Sequence, residues 1–332
     1  GDLLQYTSPG IRSDKEIVLI AVKKCDTALG SAAPEMQADK EVVLTALERS
    51  TYPYQFVDKD LKQDDDVVLA MIRHSDAHFS LATRAQRASK DFIRKAVALS
   101  GGLLTQVPEF KDEKDIVLAA VKDAGYVIRD ASPRLQIDND IRLAALISGA
   151  SELVPVDMSF YDLAFPKELR KNKPFALQAI KQNAFVYKYI DQSLRGDEDL
   201  VFHAVAQKGQ LLKIVPERFQ GEAVYVLAAV KNCGAALQYA STERRKDSTT
   251  VLEAVTQDGF ALQYADVTLQ ADKKIVLAAA KQNILAFQFA SSKLPRDEEV
   301  KKVEQEYRIA VENQKQNNQD DSENYSYGGS MH

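Results

Sequence analysis

Val224 to Ala240 reads VYVLAAVKNCGAALQYA, and it returns as TTVLEAVTQDGFALQYA from Thr249 to Ala265 and as KIVLAAAKQNILAFQFA from Lys274 to Ala290. Taking the central residue of each opening segment as an anchor, eleven copies can be placed, at Ala21, Ala46, Met71, Ala96, Ala120, Ala145, Ala179, Ala204, Ala229, Ala254 and Ala279. Successive anchors lie 25 residues apart, except for one step of 24 and one of 34. A period held over so many copies marks a repeat array.

The chemistry around each anchor repeats as well. Leucine stands two residues before it in nine copies (Leu19, Leu44, Leu69, Leu118, Leu143, Leu177, Leu227, Leu252 and Leu277), and Ile, Val or Phe dominate positions −4 and −3. Such a stripe suits a helix buried on most of its circumference. At −7 sits an N-cap residue type: Asp14, Asp39, Asp64, Ser89, Asp138, Asn172, Asp197, Asp247 or Asp272. At +5 a glycine often follows (Gly101, Gly125, Gly209, Gly234, Gly259), which suits a left-handed residue ending the helix. Apolar residues at +8 and +10, such as Leu237 and Tyr239, and at +15, such as Phe219, predict a second helix of about two turns. A handful of apolar side chains cannot offset the ordering of some 25 residues, so each repeat must be covered by its neighbours. The expected fold is therefore an all-α solenoid of about eleven stacked two-helix repeats.

DKEIVLIAVK (Asp14 to Lys23), DKEVVLTAL (Asp39 to Leu47) and GAALQYAS (Gly234 to Ser241) resemble the short repeats of the family known as domain of unknown function 4116, over nearly the whole span from Asp2 to Leu294. That family is associated with large repeat proteins of protists and with proteins of intracellular bacteria, including candidate secreted effectors. The resemblance implies an all-helical array with a binding role and carries no catalytic residues over.

Around this register the chain divides into an N-terminal sub-array (1–150), an aromatic-bearing insertion (151–173), a C-terminal sub-array (174–296), and a capping helix with a polar tail (297–332). Leu4, Tyr6 and Ile11 occupy second-helix positions of a repeat whose first helix is missing, which suggests a fragment boundary at Gly1. The capping helix is expected from about Asp297 to Gln314, with Val300, Val303, Tyr307, Ala310 and Val311 on one face, and the remainder is expected to be mobile.

With 45% apolar residues, 27% charged and a formal charge of −5, the composition is that of a soluble protein, with no transmembrane run and no signal peptide. The expected setting is the cytoplasm, or the host cytoplasm for an effector. Cys25 and Cys233 stand eight repeats apart, so no intrachain disulfide is expected. No HExxH, paired CxxC, phosphate loop or nucleophile elbow occurs, and His74 and His78 straddle a helix end, so neither metal, cofactor nor catalysis is expected. A solenoid that reads one base per repeat needs a basic track. Here the net charge is negative and position +9 alternates between Gln and Lys (Gln55, Lys188, Lys213, Gln238, Gln263, Gln288), which argues against nucleic acid.

Two departures from the repeat remain as candidate sites. Between Leu81 and Leu99, Arg84, Arg87, Lys90, Arg94 and Lys95 face a single acid, Asp91, and Arg94 takes the −2 position of leucine. A charge is costly to bury, so this helix should be rotated or partly uncovered. The cluster reads either as a solvated face or as a basic patch for an acidic or phosphorylated segment. The insertion SELVPVDMSFYDLAFPKELRKNKP, Ser151 to Pro174, carries Phe160, Tyr161 and Phe165, which could plug a break between sub-arrays or contact a partner. The expected function is a monomeric, non-catalytic scaffold binding a protein or peptide; the alternative is a purely structural segment of a longer protein.

Overall fold

The computed structural model describes residues 2–149 and 162–327. These fall into two compact halves, one ending at Pro166 and the other beginning at Lys167, within the stretch taken as the insertion. Each half is an α-solenoid: six repeats stack in the first, five repeats and a C-terminal helix in the second, and no strand occurs among the described residues.

Every repeat opens with an α-helix of two to three turns, such as Lys40–Leu47, Lys90–Leu99 or Ala223–Asn232. The predicted caps form: Asp14, Asp39, Asp64, Ser89, Asp138, Asn172, Asp197, Asp247 and Asp272 each accept a hydrogen bond from a first-turn backbone N–H. The buried stripe is narrower than predicted. In most repeats positions −4, −3, 0 and +1 are buried (Val42, Val43, Ala46 and Leu47 in one repeat, Phe92, Ile93, Ala96 and Val97 in another; Ile17, Ala21 and Arg142 are exceptions), whereas the leucine at −2 is half-buried in seven of its nine copies.

The second segment differs from the expected two-turn α-helix. It is a 3-10 helix of five or six residues, for example Gly101–Gln106, Gly234–Tyr239 or Gly259–Tyr264, followed in most repeats by one further short helical turn such as Pro133–Gln136 or Thr242–Lys246. With three residues per turn, positions +5, +8 and +11 share one face. That face is buried, as Gly234, Leu237 and Ala240 show, while the aromatics at +10 (Tyr239, Tyr264, Phe289) are only half-buried.

The recurrent glycine also has a different role. No glycine with positive φ occurs among the described residues. The helix ends instead in an extended residue, as at Ser100 (φ −149°, ψ 99°), whose N–H donates to the anchor carbonyl. The glycine that follows lies against the anchor of the next repeat: a Cβ on Gly101, Gly125, Gly209 or Gly234 would collide with the carbonyl oxygen of Ala120, Ala145, Ala229 or Ala254 respectively. Its N–H is capped from that neighbour too, by Asp123 Oδ2 at 2.7 Å from Gly101 N, Asn232 Oδ1 at 2.9 Å from Gly209 N and Gln282 Oε1 at 2.6 Å from Gly259 N. Repeats thus meet backbone to backbone, and only hydrogen at Cα permits the approach.

A ladder of ion pairs crosses the same boundaries. The lysine just after the N-cap reaches the N-cap acid and the second acid beyond it on the next repeat. Lys40 lies 2.9 Å from Asp64 and 2.6 Å from Asp66; Lys114 lies 2.8 Å from Asp138 and 2.7 Å from Asp140. Lys15, Lys90, Lys173 and Lys273 repeat the arrangement. Burial alone would raise the carboxyl pKa of Asp39, Asp64 and Asp138, but the lysine hydrogen bond and the capping N–H groups outweigh it and hold each below the ordinary range. A depressed native pKa contributes stability that is complete above the unfolded value of about 3.9 and is lost as pH falls through the native one. Thermal melts between pH 6 and pH 2.5 should therefore show a falling Tm below about pH 4. Replacing Lys15, Lys40 and Lys114 together by Met should shrink that fall; an unchanged acid profile in the triple variant would exclude the ladder as its source.

The last rung, Lys273 to Asp297 and Glu299, lands on the C-terminal helix Glu298–Tyr327. That helix begins as a twelfth copy would: Asp297 accepts from Val300 N at 3.1 Å, Val300 is fully buried, and Tyr307 packs on Phe287 with ring centroids 5.7 Å apart. It runs past Gln314, where a mobile tail was expected.

Candidate functional site

The five cations between Leu81 and Leu99 separate into structural and surface groups. Arg87 lies nine residues before its anchor, where other repeats carry Gln37, Gln136, Gln220 or Gln270. Each of those glutamines donates to carbonyls of the preceding 3-10 segment, as Gln270 does to Leu262 O at 3.1 Å and Ala265 O at 3.2 Å. Arg87 does the same, to Ala82 O at 3.0 Å and Ser80 O at 3.0 Å, with its guanidinium 5.2 Å from the Phe79 ring centroid. Lys90 is a rung of the ladder, 2.6 Å from Glu113. Both follow the repeat plan.

Arg94 and Lys95 share one acid, at 2.8 Å and 2.7 Å from Asp91. Together they hold that carboxyl below its usual range, the Lys95 hydrogen bond contributing most. The helix is not rotated: Phe92, Ile93, Ala96 and Val97 occupy the usual buried positions. Arg94 fits because −2 is a partly open position in most repeats, and its side chain is 46% exposed. Arg84 lies exposed on the short helix Arg84–Ala88, which precedes the helix that carries Arg94 and Lys95.

Of the three aromatics in the insertion, Phe160 and Tyr161 lie outside the described residues. Phe165 is 0% exposed. It stands fourteen residues before Ala179, the +11-type position filled elsewhere by buried Ala82, Ile190, Val215 or Ala240. Phe165 is therefore a core residue of the repeat plan and not a surface contact.

Other sequence features resolve into local bonding. His74 Nε2 lies 2.6 Å from Leu47 O and His78 Nδ1 lies 2.9 Å from Met71 O, which ties both rings to the backbone. Cys25 and Cys233 are not joined in a disulfide. At +9, Gln238, Gln263 and Gln288 donate to carbonyls of their own 3-10 segments. No helix among the described residues is long and apolar enough to cross a membrane.

What remains is a surface the sequence alone did not single out, the open ridge of the first helices at −2, −1 and +2. In the N-terminal half it forms two adjoining clefts. One, of about 500 Å³, is lined by Leu44, Leu69, Ala70, Arg73, Arg94 and Lys95 among others. The second, of about 530 Å³, continues from Arg94 and Ala98 to Leu118, Ala119 and Lys122. Their floor is leucine and alanine and their edges are charged.

The family described as "Domain of unknown function (DUF4116)" matches the chain repeatedly, over residues 1–37, 39–80, 89–146, 164–195, 172–220, 197–245, 225–270 and 247–296. No curated protein and no solved structure matches it.

Proposed function

The chain belongs to the DUF4116 family of repeats, and from that premise we propose that it is a non-catalytic scaffold that binds a protein or peptide along the open ridge of its first helices. One observation carries this reading. Leucine recurs at −2 in nine of eleven repeats although neighbouring repeats leave that position half-covered in seven of them. Folding alone would be served by any good helix former at a position only half removed from water, such as Lys, Glu or Gln. A recurring leucine there keeps apolar side chains on the first helices within each half available to a partner, the pattern by which solenoids use extended surfaces.

The test separates binding from folding. Replacing Leu44, Leu118 and Leu227 together by Gln should leave a cooperative melt, with Tm lowered by no more than several degrees. Proteins retained by the wild-type chain in affinity capture should be lost from the triple variant. Equal capture by the two chains, or no specific capture by either, would contradict the reading.

A further inference from the structure

The helix Lys15–Lys24 is covered on one side only. Val18 and Val22, at −3 and +1, are fully buried, whereas Ile17 at −4 is 40% exposed, although −4 is buried in all ten other repeats. Ile20 at −1 is 63% exposed, at a position that five other repeats fill with alanine. Leu3, on the 3-10 segment Asp2–Tyr6, is 76% exposed eighteen residues before its anchor Ala21, where Ala28, Val127, Leu211 and Ala236 are buried before theirs.

The polar groups on this side are equally unmatched. Acids stand together at −7 and −5 seven times along the chain, and six of these pairs take the lysine at −6 of the preceding repeat. The seventh pair is Asp14 and Glu16, and among the described residues no ion pair engages either. At +3, Arg49, His74, Ser148 and Gln207 each bond to carbonyls that end the first helix of the preceding repeat, as Arg49 does to Lys23 O and Lys24 O at 3.1 Å. Lys24 holds that position in the first repeat and meets no such carbonyl among the described residues.

We propose that this face docks an amphipathic helix of a separate partner protein, with lysine in its first turn between Asp14 and Glu16, aliphatic residues three and seven positions later over Ile17 and Ile20, and its last carbonyls on Lys24. The junction between repeats supplies the template: on a first helix, −6, −3 and +1 fall at i, i+3 and i+7 and so share one face. The lysine must come from outside this chain. Its six lysines at −6 are all engaged by the acids just described, and residues 150–161 and 328–332 contain none. A second copy does not fit either. The helix Glu298–Tyr327 carries Glu298 in the lysine's place, and a carboxylate there would oppose Asp14 and Glu16. Ile17 lies outside the leucine ridge, so docking here does not depend on binding there.

The full-length chain would be titrated with a fluorescein-labelled peptide of the sequence Asp39 to Ser50, held helical by a hydrocarbon staple that replaces Leu44 and Glu48, and fluorescence anisotropy would be read. Saturable binding is expected, weakened about fivefold or more when the peptide carries Lys40→Glu, because two exposed ion pairs become repulsions. Glu16→Lys in the chain should erase that preference, and Ile17→Asp should abolish binding. Both residues are exposed, so melts of the two variants should match the wild type. The ridge variant with Gln at positions 44, 118 and 227 should bind the peptide as the wild type does.

Absence of saturable binding, equal affinity for the lysine and glutamate peptides, or binding undiminished by Ile17→Asp would overturn the proposal. So would dimerisation of the chain alone, read by sedimentation velocity and lost in Ile17→Asp, which would assign the face to a second copy. If the peptide fails to bind while the ridge variant still loses its captured proteins, only the docking face is excluded. If the peptide binds and capture is unaffected by the ridge variant, only the ridge is.

Discussion

Gly101→Ala is expected to destabilise the N-terminal half by about 3 kcal/mol, the upper part of the range for overpacking a close contact, whereas Gly102→Ala, one residue along, should be neutral or slightly stabilising. At Gly101 the added methyl would collide with the Ala120 carbonyl oxygen in the next repeat's first helix and sit 3.1 Å from the Cβ of Ala124, the residue that ends that helix. Relief requires the two repeats to separate, which also stretches the bond from Gly101 N to Asp123. At Gly102 the nearest group is the Tyr126 hydroxyl at 3.7 Å, an ordinary contact. There the smaller conformational entropy of alanine in the unfolded chain favours folding by about 0.4 to 1 kcal/mol. Urea titrations of the two variants, followed by circular dichroism, give the comparison. Equal midpoints would mean that the backbone contact between repeats does not govern stacking.

Phe219→Ala should be comparably damaging in the C-terminal half, at about 3 to 5 kcal/mol for loss of a buried phenylalanine. The ring is fully buried, 4.7 Å centroid to centroid from Tyr225 in edge-on contact, with the Arg218 guanidinium 4.4 Å from its face. Each repeat is covered only by its neighbours, so the loss should be local: stability in such arrays is a sum over repeats and their interfaces. Unfolding monitored by tyrosine fluorescence, the chain having no tryptophan, and by circular dichroism should then give non-coincident transitions. A single coincident transition, shifted as a whole, would indicate a globally coupled core.

The first helix of each repeat was legible because its signals are strong and independent: the apolar stripe recurs in register in every repeat and the −7 cap residue joins it in nine of the eleven. The second segment was misjudged because a 3-10 helix of six residues carries only two turns of period, too few to distinguish +8 with +10 from +8 with +11. Glycine at +5 was correctly singled out but given the wrong reason. A left-handed helix end and a close backbone approach demand the same residue, and only coordinates show that Ala120 O rather than φ is what excludes a side chain at Gly101.

The candidate site was legible in part. Charge counting over Leu81 to Leu99 gathered five cations, yet Arg87 and Lys90 sit at −9 and −6, where the repeat uses them for carbonyl latching and cross-repeat pairing. Tabulating −9 across repeats would have exposed Arg87, since glutamine recurs there. Lys122 and Arg73 were missed because cleft neighbours come from different repeats and are 21 to 28 residues from Arg94 in sequence. Phe165 was assigned to an insertion because the 34-residue step obscures its register, although counting back from Ala179 places it in a core position.

In five repeats the glycine after the first helix (Gly101, Gly125, Gly209, Gly234 and Gly259) meets the next repeat's anchor backbone to backbone, and that contact holds the two repeats together. Hydrogen-exchange mass spectrometry of the full-length Gly101→Ala chain tests it most directly. Protection should fall in the helices Lys90–Leu99 and Lys114–Asp123 that meet at this contact, decline less in the repeats beyond them, and stay unchanged from Lys173 onward. A uniform loss of protection along the whole chain, or none at either helix, would contradict the account.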